Sequence, residues 1–248
     1  MHNTPKNTIS FSLKGRYALF TDPITKLGGE KCTYHVPTYE AIKGVLKSIY
    51  WKPTLIWHVD KVRVMKSIRT QTKGVKPLNW AGGKATHDLA IYTFLHDIEY
   101  QVQAHFEWNM YRPELEKDRL DGKHFSMALR ALDRGGRQDI FLGTRDCQGY
   151  VESCNFGEGV SPYQDIDELG FGLMFHGFDY PDETGGEALH SRFWHATMKH
   201  GILDFQRPED CQVKRLIRPM SKKIFKLNDN QLDVANEQES FFSERAAL

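Results

Sequence analysis

Residues 97–108 read DIEYQVQAHFEW, in which Ile98, Tyr100, Val102, Ala104, Phe106 and Trp108 alternate with Asp97, Glu99, Gln101, Gln103, His105 and Glu107. Successive side chains of a strand point to opposite faces, so this period of two predicts a strand with one apolar and one polar face. The same alternation recurs on either side. Upstream, Ile9, Phe11 and Leu13 alternate with Ser10, Ser12 and Lys14, and Gly15 interrupts before YALF. In TLIWHVDKVRVMKSIR (residues 54–69), Val62, Val64 and Ile68 fall on one face and Lys61, Arg63, Ser67 and Arg69 on the other, a core face backed by a cationic one. Downstream, IFLGTRDCQGYV (140–151) supplies a further strand.

Helical spacing appears twice between these strands. Thr38 is placed to cap a helix carrying Tyr39, Ile42, Leu46 and Ile49, and Pro53 restricts Lys52 and closes it, leaving Tyr50 and Trp51 at its C-terminal end. A second helix is expected over FSMALRAL, just after His124, ending at Gly135 and Gly136. KGVKPLNWAGGK (73–84) reads as a basic, glycine-rich loop. The order strand, helix, strand, strand, helix, strand predicts an α+β protein whose N-terminal domain, residues 1–150, has the ferredoxin-like βαββαβ arrangement shared with RNA-recognition modules. GFGLMFHGFDYP and HSRFWHATMKHGILDF suggest a smaller antiparallel β domain over 151–227, and 228–248 reads as a polar tail.

The totals remove several classes. An apolar fraction of 40% over 248 residues supports a real core, and no apolar run approaches the length of a spanning helix. No leader pattern opens the chain, so a cytoplasmic protein without membrane contact is expected. The four cysteines form no C-x-x-C, which disfavours a disulfide scaffold or zinc ribbon. A net charge of +1 means that any polyanion surface must come from local segregation. Such segregation exists: Lys61, Arg63, Lys66, Arg69, Lys73 and Lys76 occur without an intervening acid, and Lys214, Arg215, Arg218, Lys222, Lys223 and Lys226 form a second group. Each cluster also suits an ordinary solvated face.

DRLDGKHF (118–125) places Lys123 beside His124. A group titrating near neutrality next to a fixed cation suits phosphodiester chemistry, although the same pair decorates ordinary loops. In a split βαβ fold both helices pack on one face of the sheet, so the end of the first, with Tyr50, and the start of the second, with Lys123 and His124, frame one cleft. Metal chemistry fits poorly. His190, His195 and His200 do not share a helix or strand face, while the His87–Asp88 and His96–Asp97 pairs lack the helical setting of a metal phosphohydrolase. Glu114, Glu116 and Asp118 read as a solvated carboxylate run, and neither G-x-x-x-x-G-K-[ST] nor G-x-G-x-x-G is present.

Several long blocks in order carry a family resemblance: GGEKCTYHVPTYEAIKGVLKSIYWKP (28–53), VRVMKSI, AHFEWNMYRPEL, DGKHFSMALRALDRGGRQDIFLGTRDCQGYV, HGFDYPDETG and RPEDC. From about residue 8 to 225 the chain resembles the family-five CRISPR-associated Cas proteins of subtype I-C, in the RAMP superfamily. The resemblance implies a ferredoxin-like domain followed by a smaller β domain. It also implies a metal-independent, cofactor-free endoribonuclease that cuts precursor CRISPR RNA at the repeat hairpin and stays bound in an effector complex with a large and a backbone subunit. The family's catalytic tyrosine, lysine and histidine fall on Tyr50, Lys123 and His124; Phe125 stands where relatives can carry tyrosine.

RNA supplies its own nucleophile, the 2′-OH, so such an enzyme must deprotonate it, align it, stabilise the phosphorane and protonate the leaving 5′-oxygen, giving a 2′,3′-cyclic phosphate. His124 is the expected acid or base, Lys123 the phosphorane's cation, and Tyr50 the residue that orients the 2′-OH or shares its proton. A tyrosine is a poor base unless the nearby lysine lowers its pKa. Lys61, Arg63, Arg69, Lys73 and Lys76 are expected to hold repeat RNA through phosphates, with Trp80 a candidate for stacking on an unpaired base. The alternative is a non-catalytic subunit that binds the 5′ handle of a guide RNA.

Overall fold

The computed structural model describes residues 7–81, 84–120 and 122–223, with the backbone alone for 79–81 and 84–87. The first half contains β1 (Thr8–Ala18), the short α1 (Pro23–Lys26), α2 (Tyr39–Ile49), β2 (Leu55–Val64), β3 (Thr70–Val75), β4 (Leu78–Ala81), β5 (Lys84–His87) and β6 (Ala90–Trp108). A 3-10 turn over Pro113–Asp118 leads to α3 (Lys123–Leu132), β7 (Ile140–Phe141) and β8 (Gln148–Ser153). Then come β9 (Leu169–Asp179), α4 (Pro181–Thr184), β10 (Ala188–Lys199), β11 (Ile202–Asp204) and β12 (Val213–Pro219). The architecture is α+β: one large antiparallel sheet with few helices. The sheet runs β12-β10-β11-β2-β6-β1-β8-β7, with β3 added on β6 and β9 on β10, while β4 and β5 form a separate hairpin.

The stretch at 97–108 lies at the centre of this sheet. One edge of β6 pairs with β1, setting Leu13 opposite Tyr100, Phe11 opposite Val102 and Ile9 opposite Ala104. Its other edge pairs with β2, with Val62 opposite Val102 and Leu55 opposite Trp108. These apolar residues are buried, Trp108 only partly, and the expected helix face of Tyr39, Ile42, Leu46 and Ile49 joins them in one core. Burying each such side chain stabilises the fold by about 1.5–3 kcal/mol. Thr38 caps α2 by accepting from the Ala41 N–H at 3.2 Å. At the far end Tyr50 takes an extended backbone, φ −156°, while its N–H still bonds the Leu46 carbonyl. α2 packs on β2, α3 packs on β1 and β8, and the two helices touch each other.

Several boundaries differ from the sequence reading. β1 does not stop at Gly15; it passes through, pairing Gly15 with Ile98 on one side and Gly149 on the other. The glycine is there because a Cβ would lie 2.2 Å from Leu142 Cδ1. The basic segment 73–84 is not a loop but strand and hairpin, with Lys73 opposite Tyr92 and Leu78 opposite His87. β2 ends at Val64, short of the expected 69, and 140–151 is a hairpin of β7 and β8. Beyond residue 150 the sheet continues without a break, since β11 pairs with both β10 and β2. Lys226, the tail 228–248 and the Trp80 side chain lie outside the described residues.

Candidate active site

Tyr50 and His124, 74 residues apart in sequence, meet where α2 ends and α3 begins. Gly122, at φ +75°, turns the chain through a left-handed conformation that an L side chain resists, and Lys123 and His124 then open α3. The Tyr50 hydroxyl lies 2.8 Å from His124 Nδ1 and 3.5 Å from Met127 Sδ. Trp57 anchors the turn at Tyr50 by donating its Nε1–H to the Tyr50 carbonyl at 2.7 Å. Trp108, the last residue of β6, stands edge-on to the imidazole at 5.5 Å. Tyr50 and His124 are each 1% exposed, whereas Lys123 is exposed.

The other side of the imidazole faces the 3-10 turn. His124 Nε2 lies 2.8 Å from the Asp118 carbonyl oxygen, which can only accept, so Nε2 carries a proton. In the neutral ring Nδ1 is therefore the acceptor, and the Tyr50 hydroxyl donates to it. The Asp118 carboxylate gathers three groups: Lys123 Nζ on Oδ1, the Thr54 hydroxyl donating to Oδ2 at 2.6 Å, and His124 Nε2 at 3.3 Å from Oδ2. The hydrogen bond from Lys123, with that from Thr54, holds the Asp118 carboxyl below the usual carboxylate range. Burial, reinforced by the Asp118 charge, pushes the Tyr50 phenol above its ordinary value. Lys123 therefore does not activate Tyr50 as a phenolate; it is engaged with Asp118.

Asp118 and Thr54 were not singled out from sequence. Asp118 read as one of three solvated carboxylates, and Glu114 and Glu116 are indeed exposed. Its place five residues before Lys123, across a glycine turn, is the signal that distinguishes it.

The five cations expected to hold RNA are dispersed. Arg63 is 8% exposed because residues 158–159 cross the polar face of β2, and its guanidinium donates to the Glu158 and Gly159 carbonyls at 3.1 and 2.9 Å. It is not on a cationic surface. Lys61 is half-buried, 3.3 Å from Asp204. Lys73 lies 3.2 Å from the Tyr17 ring centroid, and Arg69 and Lys76 are exposed. Arg69 sits beside His96, while the His124 contact Trp108 is at the other end of β6. Twelve residues of strand separate them, roughly 40 Å at the usual rise. Among the described residues there is no group of three or more His, Cys, Asp or Glu placed to hold a metal ion. No helix of the described residues is long and apolar enough to cross a membrane.

The described residues thus form an antiparallel α+β fold with a buried Tyr–His pair beside a surface lysine. The profile of the CRISPR-associated protein family (Cas_Cas5), in its Cas5d form, matches residues 8–206, and the chain belongs to that family. It is similar to the CRISPR pre-crRNA endoribonuclease Cas5d of Mannheimia succiniciproducens, 27% identical over 234 residues that span 84% of this chain and 99% of the relative. The protein of the same description from Thermus thermophilus is 29% identical over 226 residues, 82% of this chain and 93% of the relative. Among solved structures, a CRISPR-associated protein superposes with TM-score 0.72 at 32% identity, covering 87% of this chain and all of that one. SMU1763c of Streptococcus mutans superposes with TM-score 0.71 at 33% identity, covering 86% of this chain and 98% of the other.

Proposed function

We propose that the chain is a metal-independent endoribonuclease that cuts precursor CRISPR RNA at the repeat hairpin and remains bound as a subunit of a type I-C effector complex, beside a large and a backbone subunit. The observation that carries this is the Tyr50 hydroxyl at 2.8 Å from His124 Nδ1, with Lys123 next in the chain. The names of the two Cas5d relatives support the substrate. A ferredoxin-like reading of residues 1–150 is supported by the order β2-β6-β1-β8, all antiparallel. A smaller β unit over 151–227 is supported by β9, β10 and β12 pairing among themselves and reaching β2 through the short β11.

The geometry supports a one-imidazole mechanism. The 2′-OH passes its proton to the Tyr50 oxygen as the Tyr50 proton moves to His124 Nδ1. The 2′-oxygen attacks phosphorus, and His124 Nε2–H protonates the departing 5′-oxygen. Protons balance: the ring begins as the Nε2–H tautomer and ends as the Nδ1–H tautomer. Lys123 stabilises the phosphorane, as a fixed cation does where charge develops. A raised phenol pKa fits this relay, because Tyr50 never carries a full charge. Arg69, Lys73 and Lys76 would grip the RNA far from the cut, and Lys61 would add a contact between. The test is a repeat RNA with a 5′-thio leaving group at the scissile bond. It needs no general acid, so His124→Ala should cleave it far better than the 5′-oxygen substrate; equal loss on both substrates would remove His124 as the acid.

A further inference from the structure

We propose that the Asp118 carboxylate occupies the seat of the scissile phosphate in the RNA-free protein, and that Thr54 is a further phosphate-binding residue of that seat. The proposal rests on the nuclease reading above. Two donors bond one side chain, Lys123 Nζ and the Thr54 hydroxyl at 2.6 Å, and His124 Nε2, whose proton goes to the Asp118 carbonyl at 2.8 Å, stands 3.3 Å from the same carboxylate. A cation and a neutral hydroxyl aimed at two adjacent anionic oxygens, with an imidazole alongside, form a site for an oxyanion, and a phosphodiester presents the same pair of non-bridging oxygens. The Thr54 donor has no alternative in water, being 1% exposed. A buried donor left unpaired is costly, so the Thr54 hydroxyl needs an acceptor there, from Asp118 or from RNA.

The occupant can leave without unfolding its surroundings. The Asp118 side chain is about one-third exposed and that of Lys123 is 42% exposed, so both can turn toward solvent. The backbone behind them is anchored: Arg119 Nη2 donates to the Asn109 and Arg112 carbonyls at 3.0 and 2.8 Å, and Arg112 pairs with Asp182 at 2.6 Å. Rotation of one carboxylate thus exchanges an internal anion for the RNA's. Asp118 acts as a competitor for the phosphate, and in doing so keeps Lys123, Thr54 and His124 aligned before RNA arrives.

The test compares the full chain with Asp118→Asn, which keeps size and removes charge. Two readouts are taken: the Kd for a repeat RNA carrying one 2′-deoxy at the cut, and KM against kcat on the all-ribose RNA. Removing the competitor should tighten Kd and lower KM by about two- to fivefold, the scale of one partly exposed ion pair. In a Lys123→Ala background the gain from the same change should shrink, because the contested cation is gone and Thr54 is what remains of the seat. Unchanged or weaker binding by Asp118→Asn, or a fall in kcat at unchanged KM, would overturn the proposal and make Asp118 an orienting residue instead. Asp118→Ser, which leaves Thr54 a partner, answers the same question if the amide variant fails to fold. Should the unmutated chain bind RNA and not cut it, the nuclease reading fails while the Kd comparison still judges the seat.

Discussion

Replacing Tyr50 with phenylalanine removes one oxygen atom and keeps the ring that packs in the core. Among the described residues that oxygen is the hydrogen-bond partner of His124 Nδ1, 2.8 Å away, and both residues are 1% exposed. Leaving Nδ1 unpaired should cost about 1–3 kcal/mol of stability. If the hydroxyl did no more than orient the ring, a misaligned fraction of that size would slow cleavage by about five- to 150-fold, since about 1.4 kcal/mol is tenfold. As a proton carrier it should contribute about 10²–10⁴-fold. Urea unfolding gives the first number, and single-turnover cleavage of a repeat RNA at saturating protein gives the second. The expected result is a stability loss within the stated range and a rate loss of at least about 10²-fold. A Tyr50→Phe protein that is destabilised as expected but cleaves within threefold of the unmutated chain would refute the proton relay.

Further outcomes follow from the same structure. Gly15→Ala puts a methyl 2.2 Å from Leu142 Cδ1, so it should destabilise by about 1–3 kcal/mol through overpacking, read as a lower thermal midpoint. Arg63→Ala leaves the Gly159 carbonyl without its Arg63 donor and the Glu158 carbonyl with Gln101 alone, so it should lower stability and leave the salt dependence of RNA binding unchanged. Arg69→Ala or Lys76→Ala should do the reverse, each weakening binding and reducing the log–log salt slope by about one. Burial, with the Arg192 charge, lowers His176 to about 3, and burial with Arg207 lowers His58 to about 4. Both fold neutral and charge more readily when unfolded. Their contribution is complete above the unfolded histidine pKa near 6.5 and is lost as pH falls toward the folded values. Unfolding free energies from urea titration should therefore drop from pH 7 to pH 4, by up to about 1.4 kcal/mol per pH unit for each histidine, and less steeply in His176→Gln.

Much of this arrangement is legible in the chain. The period of two at 97–108 and the spacing of Tyr39, Ile42, Leu46 and Ile49 are local signals of burial, and the core they imply is the one observed. Tyr50, Lys123 and His124 could be brought together on paper because Thr38 and Pro53 bound the first helix and FSMALRAL reads as a second, although that helix begins at Lys123, earlier than expected. Other features depend on partners distant in sequence. Arg63 looks like a surface cation until residues 158–159 fold across it, and Asp118 looks solvated until the turn carries it to Thr54 and Lys123. The pairing of β4 with β5 is hidden in the sequence because glycines signal a loop without saying that strands flank it.

The central claim is that the RNA's own 2′-OH is the nucleophile and that Tyr50, Lys123 and His124 direct it. The direct measurement is to identify the ends produced when the purified chain meets a repeat RNA in EDTA, beside a copy with a single 2′-deoxy at the cut and beside His124→Ala. Cleavage of the all-ribose RNA alone, by the unmutated chain alone, leaving a 2′,3′-cyclic phosphate, is the predicted result. Cutting of the deoxy substrate, or activity that vanishes with chelation, would contradict it.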